Sequence, residues 1–162
     1  MRYVMNQKIL CLGNDFVVRD ESGRDVLYID GRALSIGDKL SVQDMQGREL
    51  AFISQKLFSW GKTYEVSRGG ELAAVVKKEL FTFFRCAFTV DVPGPDDLEA
   101  TGDFFDHEYT FQRHGQPVAS VSKRWFTLRD TYGVDIAPGE NDALLLACTV
   151  VIDQATEDKR KE

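Results

Sequence analysis

Apolar and polar residues alternate in short runs along most of the chain, and turn residues separate the runs. Phe16-Val17-Val18, Leu40-Ser41-Val42, Tyr64-Glu65-Val66 and Tyr109-Thr110-Phe111 each lead into a glycine: Gly23, Gly47, Gly70 and Gly115. Six residues beyond each glycine stands Ile29, Ile53, Val76 or Val121, and eleven beyond stands Leu34, Phe58, Phe81 or Phe126. Alternation at period two marks a half-buried strand. Glycine and aspartate at the tips supply the positive φ or the side-chain hydrogen bond that a tight turn needs. The unit is therefore a hairpin. Three units follow at a spacing of 24 residues, and Pro93-Gly94-Pro95-Asp96-Asp97 reads as an irregular insert before the fourth. A fixed period also suggests a solenoid. The units are few, however, their turns vary, and none looks like a cap. Antiparallel hairpins closing into a barrel or paired sheets fit better, because closure removes exposed edges. The expectation is about twelve strands.

One segment breaks the alternation. From Asn141 to Asp153 the chain reads Asn-Asp-Ala-Leu-Leu-Leu-Ala-Cys-Thr-Val-Val-Ile-Asp. Its polar start suits an N-cap, and Pro138-Gly139 separates it from what precedes. Leu-Leu-Leu-Ala favours a helix, over about 141–154, whereas Thr149-Val150-Val151-Ile152 would also suit a strand. A helix apolar on all sides is buried all round. Among strands its economical place is the barrel interior. The apolar stretch from Ala143 to Ile152 is well short of the roughly 20 residues that span a bilayer.

Composition adds limits. The chain has 162 residues, 43% of them hydrophobic and 28% charged, which suits one domain over 1–155 with a charged, disordered tail over 156–162. The net charge of −6 argues against a nucleic-acid binder. Cys11, Cys86 and Cys148 are widely spaced among apolar residues and fit neither a disulfide framework nor a zinc motif. They read as reduced core residues, hence a cytoplasmic protein. The segment from Met1 to Lys8 has no apolar signal region.

Several segments together resemble the LURP-one-related family, most of all its bacterial YxjI-type members. They are Phe16 to Gly23, Leu34 to Leu40, Val121 to Phe126, Asp130 to Ile136 and Ala147 to Asp153. The resemblance covers roughly residues 1–155. It implies a tubby C-terminal-like fold, a closed barrel of twelve antiparallel strands around a central hydrophobic helix. It also implies a binding domain, since tubby domains bind phosphoinositides. The tubby phosphoinositide-binding cations are not carried over to particular residues of this chain.

Candidate chemistry is sparse. Asp103, Asp106, His107 and Glu108 form the densest ionisable cluster. Alternation in a strand would place His107 opposite Asp106 and Glu108, and no metal-ligand spacing occurs. The expectation is a rim turn with solvated carboxylates, with no catalytic residue, metal or cofactor. A cation follows each glycine by eight or nine residues, at Arg32, Lys56, Lys78 and Lys123, close to aromatic residues. If the repeat holds, these cations meet at one end of the barrel. Lysine and arginine beside tryptophan or phenylalanine suit an anionic lipid surface. The candidate set for phospholipid headgroups is Lys56, Lys62, Lys77, Lys78, Lys123, Arg124, Trp60 and Trp125, in a non-enzymatic domain peripheral to the inner membrane surface. The alternative is a protein-interaction domain with no lipid role.

Overall fold

A computed structural model describes residues 1–8, 15–31, 39–57, 61–82, 85–124 and 131–157. Among these residues there are twelve strands and one helix. The strands are β1 (Arg2–Lys8), β2 (Asp15–Arg19), β3 (Asp25–Gly31), β4 (Lys39–Asp44), β5 (Glu49–Lys56) and β6 (Thr63–Arg68). They continue with β7 (Glu71–Thr82), β8 (Arg85–Asp91), β9 (Leu98–Asp103), β10 (Glu108–Arg113), β11 (Gln116–Ser122) and β12 (Thr131–Ile136), followed by the helix α1 (Asp142–Glu157). Each strand pairs antiparallel with its neighbours in sequence, and β12 closes on β1, giving a closed barrel. No sheet edge remains.

The alternation in the sequence becomes one continuous inner surface. Phe16 faces Ile29, Ile29 faces Val42, Leu40 faces Ile53 and Ile53 faces Val66 across successive ladders. The row continues through Tyr64, Val76 and Val90, and on the far side Val121 meets Val134. All of these are buried. A slip of one residue in any ladder would turn a strand's apolar set outward, so the pattern fixes the register. Outward positions carry charge instead, including Arg2, Glu65, Lys77, Glu79 and Asp135.

The helix fills the barrel. Leu145, Leu146, Ala147, Cys148, Val150, Val151, Ile152 and Ala155 are each at most 1% exposed. Asn141 caps the first turn, its Oδ1 accepting the Leu144 N–H at 3.1 Å. The helix runs to Glu157, three residues beyond the expected end, and Asp153, Gln154 and Thr156 are buried with it. Residues 156 and 157, expected in the tail, are thus helical, and 158–162 lie outside the described residues. Two buried hydroxyls bond back along the helix, Thr149 to the Leu145 carbonyl and Thr156 to that of Ile152, so neither is left unsatisfied in the core. Burial pushes the Cys148 thiol up to about 12, which keeps it protonated and inert. Cys11 and the Cys86 side chain lie outside the described residues.

The two ends of the barrel differ in kind. At the turn end sit the β2–β3, β4–β5, β6–β7, β8–β9 and β10–β11 connections and the start of α1. At the exit end sit the opposite ends of the strands, the β9–β10 connection and the last turn of α1. Gly23, Gly47, Gly70 and Gly115 all lie at the turn end with positive φ, as hairpin tips require. The segment read as an insert is itself the β8–β9 turn, with Gly94 at φ +103. The glycines at 23, 47, 70, 94 and 115 therefore mark five successive hairpins.

Candidate ligand-binding face

Strand polarity brings Lys56, Lys62, Lys78, Lys123 and Arg124 to the exit end. Lys56 ends β5, with Nζ 2.6 Å from a Glu65 oxygen. Lys62 precedes β6, and its carbonyl accepts the Lys78 N–H at 3.1 Å. Lys78 takes the inward register of β7, two residues beyond Val76, and its ammonium stands 5.7 Å from the Phe88 ring centroid. Lys77 points outward on the barrel wall, 2.6 Å from Asp91, whose carboxylate raises its pKa by hydrogen bonding and charge. Lys123 and Arg124 follow β11 and both donate their N–H groups to Glu108 Oε1, at 2.9 and 3.2 Å. Arg124 also places Nε 3.3 Å from Glu108 Oε2. Trp60 and Trp125 lie outside the described residues. Leu57 and Phe105 are exposed at this same end, by 52% and 42%.

Asp103 and Asp106 are exposed at the β9–β10 turn on the rim, as the sequence suggested, whereas Glu108 is half-buried and His107 is buried. Glu108 gathers the Ser122 hydroxyl together with the two backbone N–H groups and the guanidinium just described. Asp103 Oδ1 accepts the N–H groups of Phe105 and Asp106, shaping the β9–β10 turn. His107 sits in that turn at φ +51, in the left-handed region, and is buried. Its ring stacks on Tyr132 with centroids 4.6 Å apart and planes 11° apart, and Nδ1 lies 3.4 Å from Asp153 Oδ1. Phe104 turns inward and packs on Phe88 and Tyr109, both at 4.9 Å between centroids. Burial, reinforced by the Asp153 charge, pushes the Tyr109 hydroxyl well above the usual tyrosine range.

Gly102 makes this turn possible. Its φ is +140, and a Cβ there would run into the Glu108 carbonyl and lie 2.6 Å from the Tyr109 Cα. The sequence reading missed Asp153, Tyr132, Tyr109 and Phe104 as partners of His107 and its turn. The signal was slight: an aspartate closing an apolar run reads as the point where a helix meets water. Chemically the cluster fastens the turn to the helix. Among the described residues no group of three or more histidine, cysteine, aspartate or glutamate side chains could hold a metal ion.

Two grooves open at the turn end. One, of about 670 Å³, is lined by residues including Met1, Glu21, Arg24, Pro138 and Asp142. Its neighbour, of about 510 Å³, runs along Arg2, Val4, Arg19 and Asp135. Several of the charges around them are paired. Arg2 meets Asp135 at 2.6 Å, Arg24 meets Asp20 at 2.9 Å, Arg19 meets Asp25 at 2.7 Å and Arg113 meets Glu140 at 2.7 Å.

The family model described as LURP-one-related matches residues 1–153. The chain belongs to the LURP-one-related family. It is 30% identical over 158 residues to YxjI of Bacillus subtilis (strain 168), covering 98% of this chain and 95% of that protein. A solved structure of a protein from Arabidopsis thaliana shares the fold, with a TM-score of 0.68 at 16% identity over 96% of this chain and 91% of that one. The family and its fold support a binding-type domain, and neither comparison points to an enzyme family. Among the described residues no helix is long and apolar enough to cross a membrane.

Proposed function

We propose that this LURP-one-related domain is a non-enzymatic binding module that engages anionic phospholipid headgroups at a membrane surface through its exit end. One observation carries the reading. Cations from β5, β6, β7 and β11 share an end with the exposed Leu57 and Phe105. Charge draws such a face to an anionic bilayer, and apolar tips stabilise it at the interface. The helix contributes no anchor, because its apolar surface is already buried inside the barrel. The proposed sites are Lys56, Lys62, Lys123 and Arg124 at the rim, Lys78 on its inward side and Lys77 on the outer wall; Trp60 and Trp125, proposed as further apolar contacts, lie outside the described residues. On this reading the protein acts as a peripheral component at the inner membrane surface.

Liposome co-sedimentation tests the proposal. The domain should sediment with vesicles containing phosphatidylserine at low ionic strength, lose binding as salt rises, and ignore pure phosphatidylcholine. Absence of binding to anionic vesicles at low ionic strength overturns it and leaves the protein-interaction reading.

A further inference from the structure

Acid is concentrated at the turn end. That end comprises residues 1–2, 19–25, 44–49, 68–71, 91–99, 113–114 and 135–142, all of them described. These segments hold thirteen carboxylates against six arginines and the Met1 ammonium. Five of the arginines are each tied to one carboxylate: Arg2 to Asp135, Arg19 to Asp25, Arg24 to Asp20, Arg48 to Asp44 and Arg113 to Glu140. Pairing thus occupies most of the cations and leaves carboxylates in excess.

The two grooves described above open into this acidic end, and they form one trough. Met1, Asp20 and Glu21 line both, so the larger, of about 670 Å³, runs into the smaller, of about 510 Å³. Part of the wall is apolar, with Met1 (62% exposed), Val4, Ala137 and Pro138 contributing. The carboxylates that line it are of two kinds. Asp20, Asp135 and Glu140 are held by the arginines just named. Glu21 and Asp142 make no ion pair among the described residues. Glu21 accepts the Arg2 N–H at 2.9 Å, and Asp142 accepts the Tyr3 hydroxyl. Burial, then the bond to Asp142, then the charges of Asp142, Asp20 and Glu21 push that hydroxyl well above the usual tyrosine range. The fields of three lining carboxylates therefore meet at one point beside the trough.

We propose that this trough docks an extended, basic segment of a partner protein. A lysine or arginine of the segment meets Glu21 and Asp142, and a neighbouring apolar side chain lies against Met1, Ala137 and Pro138. The proposal is independent of the lipid-binding reading, which concerns the opposite end. Charge complementarity selects the occupant. Nucleic acid and anionic bilayers are repelled by the excess of acid. A small polycation would satisfy the carboxylates and leave the apolar wall wet. In an extended segment successive side chains point to opposite sides, so one reaches the rim while the next rests on the wall.

Fluorescence anisotropy at low ionic strength tests this with a labelled, end-blocked peptide of alternating lysine and leucine between serines. The peptide should bind and should weaken as salt rises, and its counterpart with glutamate for lysine should not bind. Glu21→Gln keeps an acceptor for the Arg2 N–H but removes the charge, and should weaken binding about fivefold, the upper range for one exposed ion pair. Glu71→Gln removes the same charge at the same end but outside the trough, and should stay within about twofold of the parent. Ala137→Trp fills the larger groove without changing charge and should abolish binding. Circular dichroism checks the fold of each variant, and the exposed Glu21 position carries the test if Ala137→Trp does not fold. Absence of binding, or binding of the glutamate peptide, overturns the proposal. Equal losses with Glu21→Gln and Glu71→Gln also overturn it, because the acid would then act as a diffuse field. So does spermine that binds as tightly as the peptide, which would make the trough a small-cation site. A dimer in sedimentation velocity that the peptide dissociates overturns it too, since the occupant would be a second copy of this chain.

Discussion

The two ends of this barrel are built on different principles. At the turn end the β2–β3 and β4–β5 hairpins close on themselves. Asp20 and Asp44 open two turns with the same hydrogen bonds: each carboxylate accepts the N–H groups two and four residues on, and then the Nε of the arginine that ends the turn. Both turns read Asp-x-x-Gly-Arg, and everything that shapes them lies within five residues. The exit end is assembled across the fold. His107 from one connection rests on Tyr132 from β12 and reaches Asp153 on the helix. The tips of these two hairpins are shaped locally, whereas the His107 turn takes its form only once the helix is inside the barrel.

That contrast can be broken most completely at the element both ends share. Leu145 and Val151 are buried on α1, at 1% and 0% exposure. Replacing either with aspartate buries an unpaired charge, at a cost of several kcal/mol against a total domain stability of about 5–15 kcal/mol. Each variant should be unfolded at 25 °C by circular dichroism. A variant that kept native spectra and a cooperative melt would show that the helix is not central.

The next effect separates the ends by applying one substitution to each. Gly102 supports the exit-end turn, where an added methyl meets the Glu108 carbonyl and the Tyr109 backbone of β10. Gly23 tips a turn-end hairpin at φ +79, where a Cβ meets nothing within 4 Å. Gly102→Ala combines strain with overpacking and should cost about 2–4 kcal/mol. Gly23→Ala carries only the left-handed backbone penalty, about 1 kcal/mol. Urea denaturation midpoints measure both. Equal costs would mean that the exit end is no more tightly coupled than a free turn.

The same contrast explains what could be read in advance. Turn chemistry and alternation are local, so the hairpins, the strand number and the glycine tips were visible in residues such as Asp20, Gly23, Asp44 and Gly47. The helix was visible because no face of Leu144–Ile152 is polar. Gly94 escaped notice because two prolines flank it, and its turn is longer; there the Val92 N–H reaches the Asp97 carboxylate to close the loop. The buried end of the helix was also missed. Polar residues are exposed by default, and Asp153 departs from that rule only because His107 arrives from a distant turn. Nothing near either residue in sequence announces the other. The cation set was legible as a periodicity, but its pairing with Glu65, Asp91 and Glu108 depends on ladder register and on which loops meet.

The smallest effect belongs to the turn end alone and should appear only in acid. Hydrogen bonds from the Ser22 hydroxyl and then from the N–H and side chain of Arg24 outweigh desolvation and hold the Asp20 carboxyl at about 2, below the ordinary value of 3.8. The folded state therefore favours the ionised form. The stability this contributes is fully present above about pH 4 and is lost as pH falls through about 2. Asp20→Asn keeps an acceptor but has no charge to lose, so the gap in urea midpoint between parent and variant should be widest at neutral pH and narrow between pH 4 and 2. Asp20 is tied to the β2–β3 turn and touches nothing at the exit end, so vesicle binding by this variant at neutral pH should match the parent. A gap that is constant with pH would show that the Asp20 charge adds nothing to the turn, and a change in binding would show that the two ends are not independent.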